Sequence, residues 1–88
     1  MKISKTTFNF AQRRNVELIV DEDTISFYPF DDDCGEPAFS YSIQETGLFF
    51  KGNIWLKPEV KEELPHWIMN EKMLRNLIDF VSPHLQED

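Results

Sequence analysis

The chain has 88 residues, among them eight Phe, two Trp, two Tyr and a single Cys, and its formal net charge is −7 at pH 7. That suffices for one domain, 1–88, built on a single aromatic-rich core, and it excludes both an internal disulfide and a Cys/His zinc cluster as staples. The start MKISKTTFNF lacks the apolar stretch of a signal peptide and no apolar run is long enough to span a bilayer, so the expected protein is cytoplasmic and has no membrane role.

The negative charge is concentrated. Residues 21–45 hold Asp21, Glu22, Asp23, Asp31, Asp32, Asp33, Glu36 and Glu45 with no Lys or Arg, whereas residues 1–20 hold Lys2, Lys5, Arg13 and Arg14 against Glu17 alone. Nucleic-acid binding rests on neutralising phosphates with basic side chains, and anionic membranes repel acidic surfaces. Direct contact with either is disfavoured, and a basic protein partner is the expectation.

Taken in order, Lys5 to Ala11 sets Phe8 and Phe10 at strand spacing beside Thr6 and Thr7, which predicts a first strand. Gln12 to Asn15 reads as a turn. Val16, Leu18 and Val20 alternate with Glu17 and Ile19 in a second strand, and Asp21, Glu22 and Asp23 connect it to a third. There Ile25 and Phe27 face one way and Ser26 and Tyr28 the other, and Pro29 closes the strand. Phe30 to Pro37, FDDDCGEP, is a loop by composition. Its Asp31 and Asp33 suggest a calcium loop, but Gly35 stands where the third ligand belongs, Glu36 takes the glycine position, and no closing glutamate follows.

The stretch from Phe39 to Leu56 predicts a hairpin. Phe39, Tyr41 and Ile43 alternate with Ser40, Ser42 and Gln44, and Glu45 to Gly47 make the turn. The returning strand sets Leu48, Phe50, Ile54 and Leu56 on one face and Phe49 and Trp55 on the other, so it is apolar on both sides. Pro58 then opens a short helix bearing Val60 and Leu64, and Pro65 interrupts it, leaving His66 to Ile68 for a bend or a new helical turn. Asn70 caps a second helix running to Val81. On it Met73, Leu74, Leu77, Ile78, Phe80 and Val81 share one arc, and Ser82 and Pro83 stop it. The expected fold is α+β: an antiparallel sheet of four to five strands with a C-terminal amphipathic helix packed on one face.

No catalytic constellation emerges. His66 and His84 each lie beside a proline without an evident partner, and the aspartates around Cys34 suppress a thiolate. The carboxylates cluster in loops where water keeps them ionised, and no phosphate-binding glycine loop or nucleophile elbow is present. The expectation is a non-enzyme without metal or cofactor.

The segment Phe50-Lys51-Gly52-Asn53-Ile54-Trp55-Leu56, followed by a helix bearing Leu74, Leu77 and Phe80, resembles the ending of small immunity proteins that accompany bacterial polymorphic toxins. The resemblance covers the C-terminal half and departs where Pro58 to Pro65 is inserted before the main helix; no binding residue is carried over from it. It implies a sheet-plus-helix, acidic, cytosolic protein that plugs a toxin domain.

The functional expectation is therefore a small acidic inhibitor that blocks a basic nucleic-acid-processing enzyme, such as a nuclease toxin, by occupying its phosphate-binding surface. Its candidate contacts are Asp31, Asp32, Asp33 and Glu36, held between Pro29 and Pro37, then Asp21, Glu22 and Asp23, and the aromatic pair Phe49 and Trp55. The alternative is a structural or regulatory interaction module, or a homodimer, whose contact is the aromatic face of the central hairpin.

Overall fold

A computed structural model describes residues 2–29, 37–53 and 56–85. Five antiparallel strands stand side by side in chain order: β1 Val16–Asp21, β2 Thr24–Pro29, β3 Phe39–Gln44, β4 Gly47–Asn53 and β5 Trp67–Ile68. Helix α1 spans Lys5–Arg13, α2 spans Pro58–Lys61 and α3 spans Glu71–Leu85. The fold is α+β, with the C-terminal helix packed on the sheet.

The period-two pattern decides the layering. Val16, Leu18, Ile25, Phe27, Phe39, Tyr41, Leu48 and Ile68 are buried on one sheet face. They join one core with Leu74, Leu77, Ile78, Val81 and Leu85 of α3 and with Ala11 of α1. Phe27 stacks on Phe39 at 4.4 Å, and Tyr41 meets both rings edge-on. The Tyr41 hydroxyl donates to the Pro65 carbonyl at 2.6 Å, which satisfies the polar end of a ring whose burial pushes the phenol well above its usual range.

Lys5 to Ala11, expected as a strand, lies in the helix Lys5–Arg13, which also takes in Gln12 and Arg13 of the expected turn. Thr7 and Ala11, one turn apart, are fully buried, and Phe8 and Phe10 flank that stripe against the core. What stabilises this helix is distant in sequence. Glu71 at the start of α3 accepts from the Ser4 amide at 2.6 Å and the Thr7 hydroxyl at 2.8 Å, so it satisfies a donor that the α1 N-terminus leaves open. At the other end Arg14 lies over the Phe10 ring, pairs with Asp79, and accepts at its carbonyl from the Ser82 hydroxyl at 2.6 Å. Helix α1 is thus latched alongside α3 at both ends.

Three further expectations are corrected. The fifth strand is Trp67–Ile68, read above as part of a bend or a new helical turn; Ile68 is fully buried opposite Leu48. Helix α3 does not stop at Ser82 but continues through Pro83 to Leu85, because Leu85 seats in the core while the proline removes only one hydrogen bond of the last turn. Phe80, placed in the core arc, is 38% exposed at its margin, against His84. Asn70 does cap α3, its side-chain oxygen accepting from the Met73 amide at 2.9 Å, and Pro58 does open α2.

Candidate functional site

Every buried apolar helix residue joins the one core. Among the described residues nothing covers the other face of the sheet. The strand registers define that face row by row: Asp21, Thr24, Ser42, Phe49 and Trp67 stand in one row across all five strands, and Ile19, Ser26, Ser40 and Gly52 in the next. Its middle is a shallow strip of hydroxyls, with Ser26 and Ser40 in contact at 3.1 Å and open space above Gly52. Lys51 reaches back over β3 to donate to the Thr24 hydroxyl at 2.8 Å.

One flank of this floor is aromatic. The Phe49 and Trp67 rings stack at 5.9 Å and 7° from parallel, yet stay 37% and 44% exposed. The Trp67 indole is held by a hydrogen bond to the Thr46 carbonyl at 3.0 Å. Its place depends on Gly47, at φ 139°: a Cβ there would lie 2.2 Å from the Ile68 carbonyl oxygen and 2.8 Å from the indole nitrogen.

The upper rim is acidic. In a meander the β1–β2 and β3–β4 turns fall at the same end of the sheet, and the Ile43 amide donates to the Asp23 carbonyl at 2.6 Å across them. Asp21, Glu22, Asp23 and Glu45 therefore share one rim, all exposed and none in an ion pair among the described residues. Glu22 occupies the first position of a two-residue turn at φ 54°, where glycine is the favoured residue and a β-carbon costs about 1 kcal/mol.

Sequence reasoning placed some of these residues and missed others. Asp21, Glu22, Asp23 and Phe49 are brought to one face and rim, about 14 Å across from Asp21 to Phe49 at three strand spacings. Trp55, Asp31, Asp32, Asp33 and Glu36 lie outside the described residues, as does Cys34. Pro29 and Pro37 are at the opposite end of the sheet from Asp23. Of the expected partition of the returning strand, Leu48, Phe50 and Leu56 are on the core side and Phe49 is on the open face, while Ile54 and Trp55 lie outside the described residues. A bulge at Lys51 shifts the register so that Gly52 opposes Ser40 and Asn53 opposes Phe39. The aromatic partner of Phe49 is Trp67, hidden in sequence because a two-residue strand has no periodicity to read.

His66 packs edge-on against Phe50, His84 packs at a tilt against Phe80, and no group of three or more potential metal ligands occurs among the described residues. No described helix is long and apolar enough to cross a membrane. The chain matches no protein-family model, and it has no detectable match among curated proteins or solved structures.

Proposed function

We propose that this chain is a small acidic protein that binds and inhibits a basic, nucleic-acid-processing enzyme, and that the contact surface is the open sheet face with its acidic rim. The observation that carries this reading is the arrangement of Asp21, Glu22, Asp23 and Glu45 along one edge of a face whose far flank is the exposed Phe49–Trp67 stack. The unpaired carboxylates offer a phosphate-like field that steers a basic partner, and the stacked aromatics offer an apolar anchor once contact is made. Resemblance of the C-terminal half to immunity proteins points in the same direction. The second reading, an interaction module or homodimer held by the aromatic flank, draws on the same stack.

The test is association with the product of the reading frame beside this gene, followed by stopped flow across a salt series. Replacing Asp21, Glu22 and Asp23 by Asn, Gln and Asn slows association about tenfold or more at low salt if the field steers docking. The equivalent change at Asp31, Asp32 and Asp33 measures the share of the second acidic segment. Binding that ignores salt and both triple variants, yet is lost in Trp67→Ala, supports the second reading instead.

A further inference from the structure

We propose that the outer edge of β1, with the groove between it and α1, docks an extended peptide segment of a partner that alternates apolar side chains with basic ones. The proposal does not depend on the open-face reading, although the two surfaces share Ile19 and Asp21. Strand β1 ends the sheet, and among the described residues no backbone hydrogen bond beyond the β1–β2 ladder engages it. Its outward N–H and C=O groups form a row ready for another strand; its sequence VELIVD has no lysine, proline or bulge, and the charges that guard it against another acidic strand are the carboxylates of Glu17 and Asp21. Ile19 and Val20 are each 43% exposed, one on either face, which is apolar area an added strand would cover.

The groove gives the edge its selectivity. Phe8, Gln12, Val16, Glu17 and Leu18 line a hollow at one end of the strand, and Lys2, Ile3, Phe8, Val20, Glu22 and Ile43 line a second at the other; Phe8 is common to both, and together they make the depression beside β1. A strand added about 4.8 Å outside β1 would drop alternate side chains into that depression and lay the others along the open face. The main-chain bonds would then supply affinity, and the alternate side chains would be read by what they meet. On the groove side they meet Phe8, Leu18 and Val20, which selects apolar residues. On the open side they meet Glu17, Ile19 and Asp21, which selects a basic residue at each end of a small or β-branched one. The preferred ligand is thus of the form Lys-Val-Thr-Val-Lys, extended. A second copy of this chain fits less well, since each copy carries a net charge of −7 and pairing about Ile19 would oppose Glu17 to the other copy's Asp21.

The probe is the capped peptide Gly-Lys-Val-Thr-Val-Lys-Gly, titrated into the isotopically labelled protein at low salt and followed by amide NMR. The expected shifts run along 16–21 and include Phe8 and Gln12. Replacing both peptide lysines by Glu weakens binding about tenfold or more. N-methylating one alternating set of peptide amides also weakens it about tenfold, and methylating the other set leaves it within about threefold, because a docked strand uses one of its edges. Ile19→Lys, at an exposed position, melts like the parent and binds about tenfold less. Shifts centred on Phe49 and Trp67, equal tolerance of both methylated peptides, no shifts at millimolar peptide, or a dimer that Ile19→Lys converts to monomer would each overturn the proposal.

Discussion

The Trp67 indole and the Phe49 ring are stacked 5.9 Å apart on a sheet face that no described helix covers, and the indole N–H is fixed to the Thr46 carbonyl. A pair so exposed contributes little to folding relative to what it can contribute at an interface. Trp67→Ala should cost about 1 kcal/mol of stability, the worth of one aromatic pair. The same change should cost about 2 kcal/mol or more of partner affinity if the stack is a buried anchor in the complex. Urea denaturation and titration calorimetry on one variant measure the two costs together.

Gly47 is the position on which that stack depends. With φ at 139° and the β-carbon site filled by the Ile68 carbonyl and the indole nitrogen, Gly47→Ala must displace β5. The expected loss is about 2 kcal/mol or more. It should come with a red-shifted, more quenchable tryptophan emission; an unchanged melting curve would mean that β5 is not where the register puts it.

At Glu22 the opposite sign is expected. Glu22→Gly relieves the left-handed turn residue at φ 54° and should stabilise the fold by up to about 0.5 kcal/mol, net of the added freedom of the unfolded chain. It should also slow association with a basic partner. A variant that gains stability and keeps its association rate would remove Glu22 from the binding rim.

The Glu71 carboxylate gives the fold an acid-side dependence. The Ser4 amide and Thr7 hydroxyl that it accepts from, aided by Arg75, hold its pKa below the usual carboxylate value. With the folded value below the unfolded one of about 4.3, the unfolded state binds more protons in that interval. Glu71 therefore contributes fully above that pH and its contribution is lost as pH falls through the folded value. Glu71→Gln should cost about 1 kcal/mol at pH 7 and flatten the stability profile below pH of about 4.3, as read by urea melts across a pH series.

How far the fold is legible in the sequence follows from which interactions are local. The β1 to β4 meander shows in the alternation of Val16 with Leu18, Ile25 with Phe27 and Phe39 with Tyr41, because its ladders join neighbouring segments. Helix α3 shows in the spacing of Leu74, Leu77, Ile78 and Val81 and in its Asn70 cap. Helix α1 is misread because Thr6 and Thr7 favour extended chain and Phe8 and Phe10 mimic strand spacing, while the Glu71 and Asp79 contacts that latch it lie more than sixty residues away. The stripe of Thr7 and Ala11 was the available signal. The candidate face is half legible for the same reason: Phe49 and the acidic turn are local features, but Trp67 joins them only through a strand pairing that nothing near it in the chain announces.

The most direct test of the open-face account is an amide and indole NMR map of the labelled protein with and without the product of the neighbouring reading frame. The account predicts perturbations at Thr24, Ser42, Phe49 and the Trp67 indole, with Asp21 to Asp23 and Glu45 along the rim. Perturbations confined to the outer surfaces of α1 and α3, or a spectrum that the partner leaves unchanged, would contradict it.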